Sequence, residues 1–216
     1  MRKLIVLVVV LALLFIGANL LAAHVAGDEI ASRAKQATGA SSASASVGTF
    51  PVLYRFLANG SVPEVRVALT YVPVASLDVA SIGVVLRGVV IDRGDLFAKR
   101  EVRVKSIASA RATVVVTAAE LSSAVGRTVM LPGSGRVEVE LASGTVAASV
   151  GITAGDVLVV SEAGVPLVRV DLAASPLVPA CSMSLDVGAG QVEATCSVSP
   201  VPPKVIAAIS GAASSG

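Results

Sequence analysis

One histidine, His24, serves the entire chain, and it stands near the end of an uncharged N-terminal run. Ser-His-Asp and Cys-His machinery therefore lack a base in the folded body. No Gly-x-Ser-x-Gly elbow, P-loop or His-Glu-x-x-His motif occurs either. The two cysteines, Cys181 and Cys196, have no histidine nearby and no Cys-x-x-Cys spacing. That argues against a metal site and against a redox pair. Tryptophan is absent and charged residues make up 15% of the chain. The net charge of +2 includes Arg2 and Lys3, so the remainder is close to neutral and carries no global electrostatic footprint for nucleic acid. Two acidic pairs could be drawn as acid and base, Asp92 with Asp95 and Glu138 with Glu140, but solvated charges explain both. The sequence predicts a non-catalytic protein without a cofactor.

What is abundant is aliphatic. Hydrophobic residues reach 54% with only 3% aromatic, and Val and Ala dominate. Short branched side chains favour sheet over helix. Residues 4–27 carry no formal charge and follow Met1-Arg2-Lys3. Cations ahead of an apolar run hold the N-terminus in the cytoplasm and send the rest across the membrane. Residues 1–27 are thus expected to be a signal peptide or an uncleaved signal anchor, making the protein secreted or membrane-tethered. Residues 28–209 form the expected α+β domain, and residues 210–216, all Ser, Gly and Ala, a flexible tail.

Asp28 to Lys35 reads as a helix with acids first and bases last, which suits the macrodipole. Val25, Ile30 and Ala34 then share a face, and the helix stops at Thr38-Gly39. Ala40 to Ser46 reads as a flexible linker. Strand-like alternation follows: Val65, Val67, Leu69 and Tyr71; Leu77 and Val79; Val84 to Leu86; Val89 to Ile91; Val102 and Val104; Val114 to Val116; Val137 to Leu141; Val146 to Ile152; Val157 and Val159; Val168 and Val170. Thr117-Ala118-Ala119-Glu120 is a capping box opening a helix that ends at Gly126. The predicted architecture is a long curved antiparallel meander sheet against an N-terminal helix, with one or two further short helices. Cys181 and Cys196 are symmetric about the midpoint between Gly188 and Ala189. A hairpin turning there sets them opposite each other as a disulfide staple.

Three of the five aromatics beyond the leader lie in Phe50-Pro51-Val52-Leu53-Tyr54-Arg55-Phe56-Leu57. Phe50, Leu53, Phe56 and Leu57 fit one side of a short helix, either as a core plug or as the lip of an apolar pocket. With Val67, Leu69, Leu86 and Phe97 they form the candidate apolar lining. Between Arg87 and Arg111 the chain is rich in bases. These suit either solvated strand faces or a rim meeting anionic headgroups, with Arg93, Lys99 and Arg100 as headgroup candidates.

Together these features resemble the LmeA family of phospholipid-binding proteins of the actinobacterial cell envelope. The resemblance rests on the leader with its trailing helix, Val47-Gly48-Thr49-Phe50-Pro51-Val52-Leu53 and the Leu77 to Gly88 strand pair. It also includes Asp95-Leu96-Phe97, Val104-Lys105-Ser106-Ile107, Thr117 to Leu121 and Val201-Pro202-Pro203-Lys204-Val205-Ile206. It implies a curved antiparallel sheet wrapping a helix around an apolar groove, similar to tubular lipid-binding proteins. It further implies binding of acidic phospholipids such as phosphatidylinositol species at a membrane surface, in support of lipoglycan (mannan) maturation. The competing expectation is a structural envelope protein that docks a partner through its sheet.

Overall fold

The computed structural model describes residues 21, 23–48, 52–74, 77–92, 94–95, 103–142, 144–153, 157–162, 165–171 and 183–207. Residues 23–38 are helical (α1). Then come β1 (Ser42–Gly48), α2 (Val52–Asn59), β2 (Ser61–Val74), β3 (Leu77–Ile91) and β4 (Val104–Thr117). After α3 (Ala118–Val125) follow β5 (Val129–Gly133), β6 (Arg136–Leu141), β7 (Gly144–Thr153), β8 (Val157–Glu162) and β9 (Val165–Asp171). The described chain closes with β10 (Met183–Val187), β11 (Gln191–Val198) and a last helical turn at residues 203–207 (α4). Among the described residues no helix is long and apolar enough to cross a membrane.

The expected α+β architecture is present, with a long antiparallel sheet beside an N-terminal helix. The meander, however, divides in two. A six-stranded sheet runs β1-β2-β3-β4-β11-β10, and β5 to β9 form a second sheet in chain order. The chain leaves the first sheet after β4, builds the second, and returns through β10 and β11 beside β4. A bridge from Pro132 to Ala189 joins the two sheets, and the Gly190 N–H donates to the Leu131 carbonyl at 2.8 Å.

The helices follow from local chemistry. Thr117 caps α3: its hydroxyl accepts from the Glu120 N–H at 3.4 Å, and the Glu120 carboxylate accepts from the Thr117 N–H at 2.7 Å. Gly126 closes the helix at φ 71°. Gly39 closes α1, donating to the Lys35 carbonyl at 2.9 Å. The buried side of α1 is Gly27, Ile30, Ala31, Ala34 and Thr38, whereas Val25 is 58% exposed. The expected face with Val25 is therefore one turn-position off. The expected boundary between residues 27 and 28 falls inside α1.

Residues 40–46 are no linker. Ser42 to Gly48 pair residue by residue with Glu64 to Thr70 as an edge strand. Small side chains supply no apolar alternation, so the strand is held by backbone hydrogen bonds and by the close approach of α1. Asn59-Gly60, expected as a turn, ends α2, with Gly60 donating to the Phe56 carbonyl at 2.8 Å.

Separate runs in the sequence are single long strands. Leu77-Val79, Val84-Leu86 and Val89-Ile91 all belong to β3. The inward parity changes at Gly88, which adopts φ 61° and faces Ala108 across the ladder. Residues Val84 and Leu86 precede that crease, Val89 follows it, and Pro63 of β2 lies on the same line. A second inversion occurs at Tyr71, at φ 50°. It leaves Tyr71 64% exposed rather than in register with Val65, Val67 and Leu69.

The β10–β11 hairpin turns at Ala189-Gly190, one residue later than expected, since Gly188 donates to the Gln191 carbonyl at 3.0 Å. Met183, not Cys181, therefore stands opposite Cys196. Cys181 lies outside the described residues.

Candidate functional site

On one face of the six-stranded sheet the cross-strand partners form apolar rows. Ala43, Leu69, Ile82, Val114, Ala194 and Leu185 make the first, one residue from every strand. Ala45, Val67, Val84, Ala112, Cys196 and Met183 make the second. Val47, Val65, Leu86, Ala110 and Val198 make the third. Directly opposed side chains of this kind are the packing unit of a sheet.

The rows differ in cover. In the first, Leu69 is 0% exposed and belongs to a cluster closed by Leu121 of α3 and by Val137 and Val139 of the second sheet. Beyond the Gly88 crease a second cluster gathers Val62, Val89, Ile107 and Ala110 with Val201 and Ile206. In the third row Ala110 is buried as part of this second cluster, whereas Val47, Val65, Leu86 and Val198 pack on it half-buried, and Leu86 packs against both clusters. The third row is thus apolar but less covered than the first.

Of the candidate lining, Val67, Leu69 and Leu86 fall in three successive rows, and Phe56 of α2 packs on the second cluster. Leu69 is part of the closed end. Leu53 and Leu57 lie in α2, but their side chains are outside the described set. Phe50, Phe97, Arg93, Lys99 and Arg100 also lie outside the described residues. Val65, Val84 and Val198 were missed as lining, although their parity in the sequence pointed to the same face; Ile107, beyond the Gly88 crease, and Ile206, on α4, carried no such signal.

Asp92, Asp95 and Glu64 are engaged in ion pairs. Asp92 sits 2.9 Å from the Lys105 ammonium, and Asp95 sits 3.3 Å from the Arg103 guanidinium. The Lys105 contact, with the Asp95 and Gly94 N–H groups, holds the Asp92 carboxyl below its ordinary range. Glu64 is likewise lowered, first by Arg87 at 2.9 Å and then by Arg66. His24 is exposed and lies 3.5 Å from Asp28. No group of three or more metal-ligating side chains occurs among the described residues.

The family model described as LmeA-like phospholipid-binding matches residues 17–215, nearly the whole chain. The chain belongs to that family. No curated relative and no solved structure matches it. Membership of the LmeA-like family supports phospholipid as the partner class.

Proposed function

We propose that this LmeA-like protein holds a phospholipid outside the plasma membrane and thereby supports lipoglycan (mannan) maturation in the cell envelope. The observation that carries the reading is the half-buried set Val47, Val65, Leu86 and Val198 around buried Ala110, flanking the second apolar cluster and reaching the first through Leu86. An acyl chain laid along it gains ~0.8 kcal/mol per buried CH₂. Arg93, Lys99 and Arg100 are the residues assigned to an acidic headgroup, of which phosphatidylinositol types are the favoured class. The protein acts by binding rather than by catalysis, since its one histidine stands exposed on α1 and Asp92, Asp95 and Glu64 are tied to cations.

The uncharged run after Arg2-Lys3 supports export. The packing of Gly27 on β1 favours retention of that segment as an anchor, because cleavage after Gly27 would cut through α1. Two cysteines in an exported chain favour a Cys181–Cys196 bridge.

Native mass spectrometry after gentle purification tests the reading. The expected spectrum shows protein with co-purified phospholipid, displaceable by a fluorescent lipid. A lipid-free mass with no lipid uptake would leave a partner-docking scaffold in its place.

A further inference from the structure

The opposite face of the same sheet carries a second arrangement that the acyl-chain reading does not use. Here the cross-strand row is Arg66, Val85, Arg111 and Ser197, and the adjacent row is Glu64, Arg87 and Ser109. A cleft of about 310 Å³ opens beside Arg87 and Arg111, lined also by Ser109, Ser197 and Ser199 and by Ala110 and Val198 of the third apolar row. Three arginines and one carboxylate leave this patch with two uncompensated positive charges.

The charges are not equally committed. Arg66 and Arg87 share Glu64. Arg111 has no carboxylate within reach among the described residues; its Nε donates to the Ser197 hydroxyl at 3.2 Å. Arg87 and Arg111 are diagonal neighbours on adjacent strands, a spacing of about 7–8 Å that long side chains span easily. The hydroxyl of Ser199 is tethered to the Ala108 carbonyl at 3.1 Å, which fixes one wall. Arg87 leans toward Glu64 on β2 and Arg111 toward Ser197 on β11. The guanidinium N–H groups not spent on those partners flank the serine hydroxyls of the cleft and suit a tetrahedral oxyanion, to which both arginines can donate.

We propose that this cleft is a phosphate-binding site, its arginines and serines on the face opposite the apolar rows, with Ala110 and Val198 the two lining residues it shares with them. The phosphate can be that of a membrane headgroup or a soluble phosphate, since both present the same oxygens. In the first case the sheet docks on an anionic bilayer through Arg87 and Arg111.

The test uses the full chain, with Arg111→Gln, and with Arg136→Gln as a control cation on the second sheet. Inorganic phosphate is titrated while the arginine Nε–H resonances are followed by NMR. Binding to phosphatidylcholine vesicles is compared with binding to phosphatidylcholine–phosphatidylglycerol vesicles. The expected result is a phosphate-dependent shift at Arg87 and Arg111. Loss of the Arg111 contact weakens binding about tenfold, the scale of one charge-assisted hydrogen bond. Preference for anionic vesicles, lost in Arg111→Gln and kept in Arg136→Gln, identifies the headgroup as the source. Phosphate binding without vesicle preference identifies a soluble phosphate. No shift with phosphate, or equal losses in both variants, overturns the proposal. Fluorescent-lipid uptake should be unchanged in Arg111→Gln, so failure of this site and failure of the acyl-chain reading are told apart. Matching urea midpoints for the variants exclude misfolding as the cause.

Discussion

Gly27 of α1 stands over the backbone of Ala45 in β1, so close that a Cβ on Gly27 would lie 2.6 Å from the Ala45 carbonyl oxygen. The partner is backbone and cannot swing aside. This contact explains why the edge strand is built from Ala and Ser: larger side chains there would hold the helix off the sheet. Replacing Gly27 by valine should therefore undock α1. Overpacking of this kind costs about 1–3 kcal/mol. Urea unfolding should show a lower midpoint, and amide exchange in α1 should accelerate before the sheet opens.

The crease at Gly88 makes a second prediction. An added Cβ would meet the Ala108 Cβ at 2.7 Å, and the residue sits at φ 61°, where a side chain is strained. Gly88→Ala should destabilise by about 1–3 kcal/mol, combining clash and strain. Adding Ala108→Gly should recover only part of the loss in a denaturant titration, because it relieves the clash and leaves the backbone strain.

Two leucines on the same sheet face should respond differently. Leu69 is 0% exposed and lies in the closed cluster, so Leu69→Ala should cost about 2–5 kcal/mol. Leu86 is half-buried between the clusters, so Leu86→Gln should cost less stability while reducing uptake of a fluorescent phospholipid. Equal lipid uptake by Leu86→Gln and the unmodified protein would place the acyl chain elsewhere.

Glu64 and Asp92 set an acid limb. Arg87 lowers the first and Lys105 the second. A carboxyl whose folded value is depressed stabilises the fold above its unfolded value, and that contribution disappears as pH falls through the folded value. Stability should therefore decline below about pH 4.3, the unperturbed glutamate value. Both groups lie at the surface, only partly buried, so water screens them and the effect is small. Glu64→Gln should remove its share at neutral pH and flatten the acid limb of a stability–pH profile.

The N-cap of α3 offers a local check. Thr117→Ala removes the hydroxyl that accepts from Glu120, which should cost about 1 kcal/mol. A thermal melt with no shift would mean that packing of Leu121 alone holds the helix.

Alternation of Val, Leu and Ile determined most of the strands and which side chains share a face. Thr117 to Glu120 determined where α3 begins. Both are local signals, carried by residues a few positions apart. What occupies β1 was illegible, because Ala and Ser do not alternate in hydropathy and the strand exists only through its pairing with β2. The split into two sheets was hidden for the same reason: β11 returns to β4 across more than the whole second sheet, and backbone hydrogen bonding between distant segments leaves no periodic trace. The apolar rows needed both levels. The residues of each row could be read singly, but only the tertiary register aligned Val47, Val65, Leu86 and Val198 into one half-buried set around Ala110, and only the creases at Gly88 and Tyr71 turned the inward parity from one side to the other. The arginine cleft is tertiary as well, since Arg87, Arg111 and Ser197 become neighbours through strand pairing alone.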